Sequence, residues 1–256
     1  MAKKPLKKKL LMTSSNRQVT DKPTEAIVDA DFLVYKVGFS NEDEEERWAL
    51  NRLTEWFTDI IYMRLKCDDY KAWITGKTNF RFEVATTVPY KGNRKDAPKP
   101  RHYDALRKHL MKLGALMTED EEADDAVGIA STQGNFWIVH VDKDLDQLPG
   151  WHYNPVKDEE YYVTEFEGLY SFYKQILTGD RVDNIEGIRG IGPVKADKIL
   201  KDCTTEEELY AACIKAYDGN TDRVLENGKL LWLRRKPNQM WQPPSVSQAQ
   251  SGTLIT

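Results

Sequence analysis

The chain has 256 residues, in which 37 Lys and Arg stand against 41 Asp and Glu, giving a net charge of −4. With 40% apolar and 11% aromatic residues, the composition is typical of a globular protein of one or two domains and excludes collagen-like, mucin-like and coiled-coil chains. Three cysteines without CxxC spacing, Cys67, Cys203 and Cys213, predict neither a disulfide framework nor a zinc finger.

The two ends of the chain differ in composition from the middle. Residues 1–23 contain six lysines and almost no apolar periodicity, which predicts a flexible basic arm. Their apolar run is too short for a signal peptide, and no segment reaches the roughly 18 apolar residues of a membrane span. We therefore expect no membrane partner and a cytoplasmic location. Residues 237–256 carry no charge and are rich in Pro, Gln and Ser, which predicts a flexible tail.

Short apolar runs alternate with helical segments in between. Runs at 26–28, 72–74 and 136–141 are typical of buried strands, and the first and third are followed by Asp29 and Asp142. The intervening segment carries apolar residues at helical spacing and predicts a helix over residues 44–65.

This alternation predicts the fold class. We expect an α/β fold with a doubly wound, mainly parallel central sheet and helices on both faces. In such sheets the functional crevice lies outside the carboxyl ends of the strands. Asp29 and Asp142 should therefore lie at the functional edge.

A basic segment follows the second predicted strand. Residues 90–112 carry eight Lys and Arg against two Asp, so 8 − 2 gives +6, with two Tyr and two His interleaved. One interpretation is an ordinary solvated basic helix. The other is a strip that binds a polyphosphate and lets an anionic substrate approach nearby acids.

Acidic residues are concentrated in residues 119–125, where six of seven side chains are acids. One interpretation is the first turn of a helix, where the helix macrodipole stabilises negative charges. Alternatively, Glu122, Asp124 and Asp125 converge at one helix end as a site.

Two further acidic segments allow similar alternatives. The segment from Asp142 to Asp146 is not a calcium loop, because Gln147 replaces the required Gly and Tyr153 the bidentate Glu. It is either an Asp-rich turn or a source of oxygen ligands at the sheet edge. Asp180 and Asp183, taken alone, indicate a turn.

Together these segments place many carboxylates at the ends of elements. So many like charges would repel one another unless cations neutralised them, and Mg²⁺ or Mn²⁺ prefers oxygen ligands. Two such ions about 4 Å apart could clamp a phosphodiester. The predicted metal ligands are Asp29, Glu122, Asp124, Asp125, Asp142, Asp144, Asp180 and Asp183.

A glycine-rich segment, residues 185–200, precedes another predicted helix. It is not a P-loop, because Pro193 stands where that motif requires Lys. It is not a dinucleotide fingerprint, because Lys195 stands where the third Gly is required. A tight hairpin around Gly190 and Gly192 would expose backbone N–H groups that can bind a DNA phosphate, with Lys195 and Lys198 adding charge. A purely structural turn is the alternative.

The order of these motifs resembles the structure-specific 5′-nuclease family, which includes flap endonucleases and phage-type 5′–3′ exonucleases. The resemblance runs over roughly residues 25–205. The segments that carry it are Ile27-Val28-Asp29-Ala30-Asp31, Phe80-Arg81, Tyr90-Lys91-Gly92-Asn93-Arg94, Glu122-Ala123-Asp124-Asp125, Val141-Asp142-Lys143-Asp144, Gly179-Asp180 with Asp183-Asn184-Ile185, and Gly187-Ile188-Arg189-Gly190-Ile191-Gly192.

The resemblance implies roles for these residues. The eight carboxylates would surround two Mg²⁺ ions, which Mn²⁺ can replace, and Lys91 and Arg94 would act on the scissile phosphate at the foot of a helical arch. The glycine segment would be a helix–hairpin–helix that grips duplex DNA, with a possible K⁺ ion. The DNA contacts implied are Arg81, Tyr90, Lys95, Gly190, Gly192, Lys195 and Lys198.

One departure from the family pattern concerns the strand at 72–74. The family commonly has a second metal-binding Asp after it, whereas this chain has Thr75 and Gly76. Water or Asp31 would then replace the missing ligand, or one metal position would be affected.

The predicted domain organisation follows the motifs. We expect a basic arm over 1–23, a catalytic core of the 5′-nuclease (PIN-like) type over 24–175 with the arch at 77–116, a helix–hairpin–helix (helix–three-turn–helix) subdomain over 176–236, and the tail over 237–256.

The leading functional hypothesis is a Mg²⁺-dependent 5′–3′ exonuclease and flap endonuclease. It would be monomeric and act on flaps, free 5′ ends and duplex DNA, and on RNA primers if these are also cut. Phage DNA replication fits this activity best, with phage replication proteins as partners in an infected bacterial cytoplasm. The alternative is a non-catalytic binder of branched DNA with a degenerate metal site. The basic strip argues against a third hypothesis, an acidic cation-buffering scaffold.

Overall fold

The computed structural model describes residues 21–94 and 97–245. Most of the predicted basic arm therefore lies outside the described residues, as do the predicted DNA contact Lys95 and the last part of the predicted tail, residues 246–256. At the start of the described chain, Lys22 forms an ion pair with Glu160.

The described residues form a central six-stranded sheet in the order β3-β2-β1-β4-β5-β6. All neighbouring pairs are parallel except β5 and β6, which form an antiparallel hairpin at one edge. The predicted, mainly parallel central sheet is therefore confirmed. The strands are β1 (Glu25–Asp29), β2 (Asp69–Ile74), β3 (Leu116–Met117), β4 (Trp137–Val139), β5 (Gly150–Asn154) and β6 (Glu159–Val163).

The apolar runs lie in the centre of this sheet because their side chains are buried on both faces. In β1, Ala26 and Val28 pack into one hydrophobic cluster and Ile27 into another, as the alternation of side chains along a strand requires. Helices therefore cover both faces of the sheet.

Three helices cover the first face: α1 (Asp31–Ser40), α2 (Glu46–Thr58) and α4 (Tyr103–Lys112). The predicted helix over 44–65 is confirmed in outline, but its last part is a π-helical segment, Asp59–Arg64. Ile60 and Ile61 of this segment are buried in the cluster that covers the sheet.

The opposite face carries α5 (Ala123–Ser131). Further helices form a second hydrophobic cluster. That cluster contains α6 (Glu165–Thr178), α7 (Pro193–Leu200), α8 (Glu206–Ala216) and α9 (Thr221–Leu231). A two-stranded hairpin, β7 (Gly179–Asp180) and β8 (Ile185–Glu186), follows α6.

The structure differs from two predicted boundaries. The boundary at 175/176 cuts through α6, whose Phe172 and Ile176 belong to the same core as α7 to α9. The segment from residue 237 was predicted to be a flexible tail, yet Trp241 is buried against Gly228 and Phe172. A charge-free composition does not reveal that one tryptophan in it is an anchor.

The segment predicted as the arch, residues 77–116, contains short helical elements where it is described. These are α3 (Arg81–Val84), a 3₁₀ turn (Gly92–Arg94) and α4. At one end of the segment α3 packs against α9, and at the other end α4 packs against α1 and α2. That the segment forms an arch stays a prediction. In the described part of the chain, no helix combines the length and apolar character needed to cross a bilayer.

Candidate active site

A polar cleft of about 250 Å³ lies beyond the carboxyl ends of β1, β2 and β4. The chain leaves β1 towards β2 and β3 on one side and returns to β4 on the other, so this edge is a topological switch point. The described residues lining the cleft include seven carboxylates and three cations: Asp29, Asp31, Glu122, Asp124, Asp142, Asp144, Asp183, Lys91, Arg94 and Arg107.

Four of these carboxylates, Asp29, Asp124, Asp144 and Asp183, lie in surroundings that disfavour their charge. Burial, followed by the charges of neighbouring acids, raises the pKa of Asp29 and of Asp124 well above the ordinary value. For Asp144, burial and the charges of Asp142 and Asp180 raise the pKa to about 7. The cleft therefore contains acids that bind a proton, or another cation, more readily than free aspartates do.

Glu122 and Asp183 have cations beside them, although burial still raises the pKa of Asp183 above its ordinary value. Burial raises the pKa of Glu122, but the nearby Lys91 and Arg81 outweigh it and hold that pKa below its ordinary value. The Lys91 ammonium donates to Glu122 and lies 3.8 Å from Asp183. Arg94 lies 2.9 Å from the same aspartate. The two predicted catalytic cations therefore sit at one wall of the cleft.

Local backbone geometry explains how Lys91 reaches this wall. Its φ of 52° is in the left-handed region, and its N–H donates to the Asp183 carbonyl at 2.9 Å. Although burial lowers the pKa of the Lys91 amine, Glu122 and Asp183 raise it above its ordinary value. The side chain is therefore a cation at neutral pH.

Asp144 lies in the 3₁₀ turn Lys143–Gln147 that follows β4, and Asp142 precedes this turn as its cap. Asp142 is exposed and accepts a hydrogen bond from the Asp144 N–H at 3.0 Å, as the cap of this turn. Gln175 of α6 donates to the Asp144 carboxylate. The turn thus presents two carboxylates to the cleft that Asp29 also lines. Their role as metal ligands stays a prediction.

Two predicted metal ligands are not among the described residues that line the cleft. Asp180 is buried, where it accepts from the Val182 N–H at 2.6 Å and pairs with Lys143 at 3.2 Å. Asp125 is fully buried and accepts two hydrogen bonds from the guanidinium of Arg81. Both side chains use their oxygens to hold neighbouring segments together.

The structure also differs from the prediction that Arg81 and Tyr90 contact DNA. Arg81 is 2% exposed and also donates to the backbone carbonyls of Leu230 and Trp232. Tyr90 is buried, and its hydroxyl lies 2.8 Å from Glu122 and 2.7 Å from Asp183. Neither side chain is available at the surface for a phosphate.

Asp31 and Arg107 form the cleft wall at Thr75. From the sequence, Asp31 received only an alternative role and Arg107 received no role of its own. Asp31 accepts from the Thr75 N–H at 3.0 Å and from Arg107 at 3.3 Å, and Arg107 also donates to the Thr75 carbonyl. This ion pair lies beside Thr75, the residue that stands where the resemblance would place a second Asp. Asp31 lies two residues after Asp29, but nothing in the sequence links it to Arg107.

The glycine-rich segment forms an exposed turn before α7. Gly190 has φ +81°, and a Cβ at Gly190 or Gly192 would meet open space. Lys195 and Lys198 are exposed on the helix that begins here, and the Lys195 ammonium donates to the Gly190 carbonyl at 2.8 Å. The predicted hairpin residues therefore share one solvent-facing surface, which we call the glycine turn.

Comparison with known proteins gives sequence relatives of two kinds, although no protein-family model matches the chain. Flap endonuclease Xni of Vibrio cholerae is 32% identical over 154 residues, covering 52% of this chain and 58% of that protein. DNA polymerase I of Bacillus caldotenax is 30% identical over 165 residues, covering 55% of this chain and 18% of the polymerase. The chain thus spans just over half of the first relative and a small part of the second.

A solved structure supports the same fold. The bacteriophage T5 D15 flap endonuclease, in a complex with DNA and metal ions, matches with a TM-score of 0.61 at 18% identity. The match covers 81% of this chain and 88% of that one. At this identity the likeness is one of fold. Together with the sequence relatives, it confirms the resemblance of this chain to the structure-specific 5′-nuclease family.

Proposed function

We propose that the protein is a metal-dependent 5′–3′ exonuclease and flap endonuclease that hydrolyses phosphodiester bonds of DNA. One observation carries the proposal: the described residues of the cleft hold seven carboxylates against three cations. If all were ionised, four negative charges would remain, which is the charge that two divalent cations neutralise. The flap endonuclease relative and the shared fold support the same activity.

The donor set fits Mg²⁺ or Mn²⁺, because these ions prefer carboxylate oxygens. The raised pKa values of Asp29, Asp124 and Asp144 arise from burial and mutual repulsion, which a cation would relieve. These three residues with Asp142 and Glu122 would hold the metal. A bound divalent ion supplies Lewis-acid stabilisation of the charge that develops on a phosphodiester.

The cations of the cleft wall would bind and orient the phosphate. Lys91 is kept charged by Glu122 and Asp183, and Arg94 is fixed by Asp183 and by the Val182 carbonyl at 2.8 Å. Because these partners hold both side chains in place, their charge is preorganised for the phosphate before it arrives. Arg107, held by Asp31, would add a third positive charge.

The glycine turn would bind the duplex part of the substrate. Its exposed backbone and the Lys195 and Lys198 ammonium groups can contact phosphates but cannot distinguish bases, so selectivity would follow DNA shape and a free 5′ end. A K⁺ ion at this turn is part of the proposal. Replacing Lys195 by Ala should weaken duplex binding and reduce the salt dependence of log K by about one unit. Lys215→Ala, on α8, is the matched control.

The cellular role is the broader part of the proposal. The activity suits removal of flaps or RNA primers during DNA replication, in the cytoplasm of a bacterium or of a phage-infected one. A monomer would suffice, because the described chain itself supplies both the acidic cleft and the glycine turn.

The test is cleavage of a 5′-labelled flap substrate with Mg²⁺ and with EDTA. We expect cleavage only with Mg²⁺, no cleavage by Asp142→Ala despite retained DNA binding, and slower turnover by Lys91→Ala. Asp202→Ala, at an exposed acid away from the cleft, should behave as the wild type. Full activity of Asp142→Ala would contradict the proposal.

A second candidate function is a binder of branched DNA that does not cleave. One observation favours it: the cleft wall at Thr75 holds an Asp31–Arg107 ion pair, which commits this carboxylate to a cation. Gel shifts with flap DNA, combined with intact labelled substrate in Mg²⁺ and in Mn²⁺, would support this function over the nuclease.

A further inference from the structure

Two histidines meet beside the cleft, in a cluster that the proposed nuclease function does not use. His140 follows β4, His152 lies on β5, and Asp146 comes from the 3₁₀ turn that also carries Asp142 and Asp144. Both imidazoles are buried, whereas the side chain of Asp146 is 36% exposed. The cluster therefore has an opening to solvent on the carboxylate side.

The hydrogen bonds of the two rings determine where their protons are. His140 Nδ1 lies 2.5 Å from the Asp142 carbonyl, and His152 Nε2 lies 2.8 Å from the Leu148 carbonyl. A carbonyl oxygen only accepts, so both of these nitrogens carry the N–H. In neutral imidazoles the remaining two nitrogens, His140 Nε2 and His152 Nδ1, then hold lone pairs.

These two lone-pair nitrogens face each other at 2.8 Å. The Asp146 carboxylate adds further electron density 3.9 Å from His140 Nε2. The Tyr161 hydroxyl lies 2.7 Å from Asp146 and 3.4 Å from His140, so its hydrogen goes to the carboxylate.

The same geometry suits a metal ion. His140 Nε2, His152 Nδ1 and an Asp146 oxygen all lie within 4.8 Å of one another. Metal-binding histidines usually donate their second N–H to a carbonyl or carboxylate, as both rings do here. In a tetrahedral site with bonds near 2.0 Å, ligand atoms are about 3.3 Å apart. The distances of 2.8 and 3.9 Å lie on either side of that value.

We propose that His140, His152 and Asp146 form a metal site for Zn²⁺ or a similar transition ion, separate from the carboxylate cleft. Two imidazoles and one carboxylate are a ligand set that Zn²⁺ favours over Mg²⁺. The Tyr161 oxygen or water would complete the coordination. The ion would tie the turn that carries Asp142 and Asp144 to β5, so its role would be structural.

The test is Zn²⁺ binding by the full chain in excess Mg²⁺, which occupies oxygen-ligand sites. Bound zinc is measured by equilibrium dialysis with elemental analysis, and Co²⁺ absorption reports nitrogen ligation. We expect one more equivalent of Zn²⁺ in the wild type than in His152→Gln. Affinity should fall by more than about 100-fold, beyond the loss typical of an outer partner.

Two further variants keep the test sharp. Asp146→Asn retains an acceptor for Tyr161 at a partly exposed position, so it should fold and still lose most of the Zn²⁺ affinity. Asp158→Asn, the matched control, changes an exposed acid that accepts from Tyr153 in the same hairpin, and should bind as the wild type does. Absence of Zn²⁺ binding, or equal binding in all variants, would overturn this site while leaving the proposed nuclease activity untouched.

Discussion

The cleft and the buried region beneath it shift the pKa values of their carboxylates in opposite directions. Beneath the cleft, Asp125 is fully buried against Arg81, whose proximity outweighs burial and holds the pKa of the aspartate below its ordinary value. One residue earlier, Asp124 faces the cleft, where burial and neighbouring acids raise its pKa. Adjacent acids at the start of one helix therefore differ in their partners: Asp125 has a resident cation and Asp124 does not.

The largest effect that separates the two regions should be on cleavage. Asp124→Asn removes a charge that would hold Mg²⁺, and we expect turnover on flap DNA to fall roughly 10³-fold, equivalent to about 4 kcal/mol of barrier. Its free energy of unfolding in EDTA should not decrease, because the substitution removes a like-charge repulsion. Parallel measurement of turnover and urea unfolding checks both, and loss of stability with retained turnover would reverse the assignment.

The opposite result is expected for Asp125→Asn. Removing one partner of a buried ion pair leaves Arg81 uncompensated and should lower the free energy of unfolding by about 3–5 kcal/mol. The double variant Arg81→Met with Asp125→Asn should recover part of that loss, since the unpaired guanidinium is gone and the amide oxygen can still accept from the Arg234 N–H. Urea denaturation of the three proteins measures this. A single variant as stable as the wild type would show that the pair is not structural.

The sequence predicted where the acids lie along the chain but not which of them share a site. The strands β1 and β4, with Asp29 at the end of the first and Asp142 shortly after the second, follow from local apolar patterns. Asp124 and Asp125 are distinguished by helix rotation and by an arginine 44 residues away, a contact that no local pattern reveals. Arg81 and Tyr90 were assigned to DNA from motif position, and their burial depends on tertiary packing.

The histidine cluster was missed for a related reason. Its residues lie just after β4, on β5 and in the turn between these strands. Asp146 and His152 follow His140 by 6 and 12 residues, a spacing that matches no metal motif. Only the register that pairs Ile138 with His152 brings the two rings together. Similarly, Trp241 could be recognised as an anchor only once its contact with Gly228 was known.

The pH dependence of stability tests whether the cleft acids lack a resident cation. The pKa of Asp144 is raised to about 7 by burial and by Asp142 and Asp180, so the folded protein binds this proton more tightly than the unfolded chain. That contribution to stability is complete below about pH 4 and is lost as pH rises to about 7. In EDTA, the free energy of unfolding should therefore fall by roughly 1–2 kcal/mol between pH 5 and 7.

Two controls isolate this effect. Asp144→Asn should flatten the dependence, whereas Asp202→Asn, at an exposed acid, should keep it. Saturating Mg²⁺ should abolish the fall, since the ion takes the place of the proton. A stability in EDTA that rises over this interval would show that the cleft acids are already compensated.

The smallest effect is expected at Tyr90, which joins the two regions. Its hydroxyl contacts Glu122 and Asp183 on the cleft side, while its ring lies in the buried cluster of α6 to α9. Tyr90→Phe removes one hydrogen bond to charged acceptors and should cost about 1–2 kcal/mol of stability. Turnover should fall only a few-fold, because Lys91 and Arg94 still hold the two carboxylates. Tyr217→Phe, whose hydroxyl donates to the Ile176 carbonyl, should cost similar stability with no change in turnover. A drop in kcat of more than about 100-fold with unchanged KM would instead place the Tyr90 hydroxyl at the reacting phosphate.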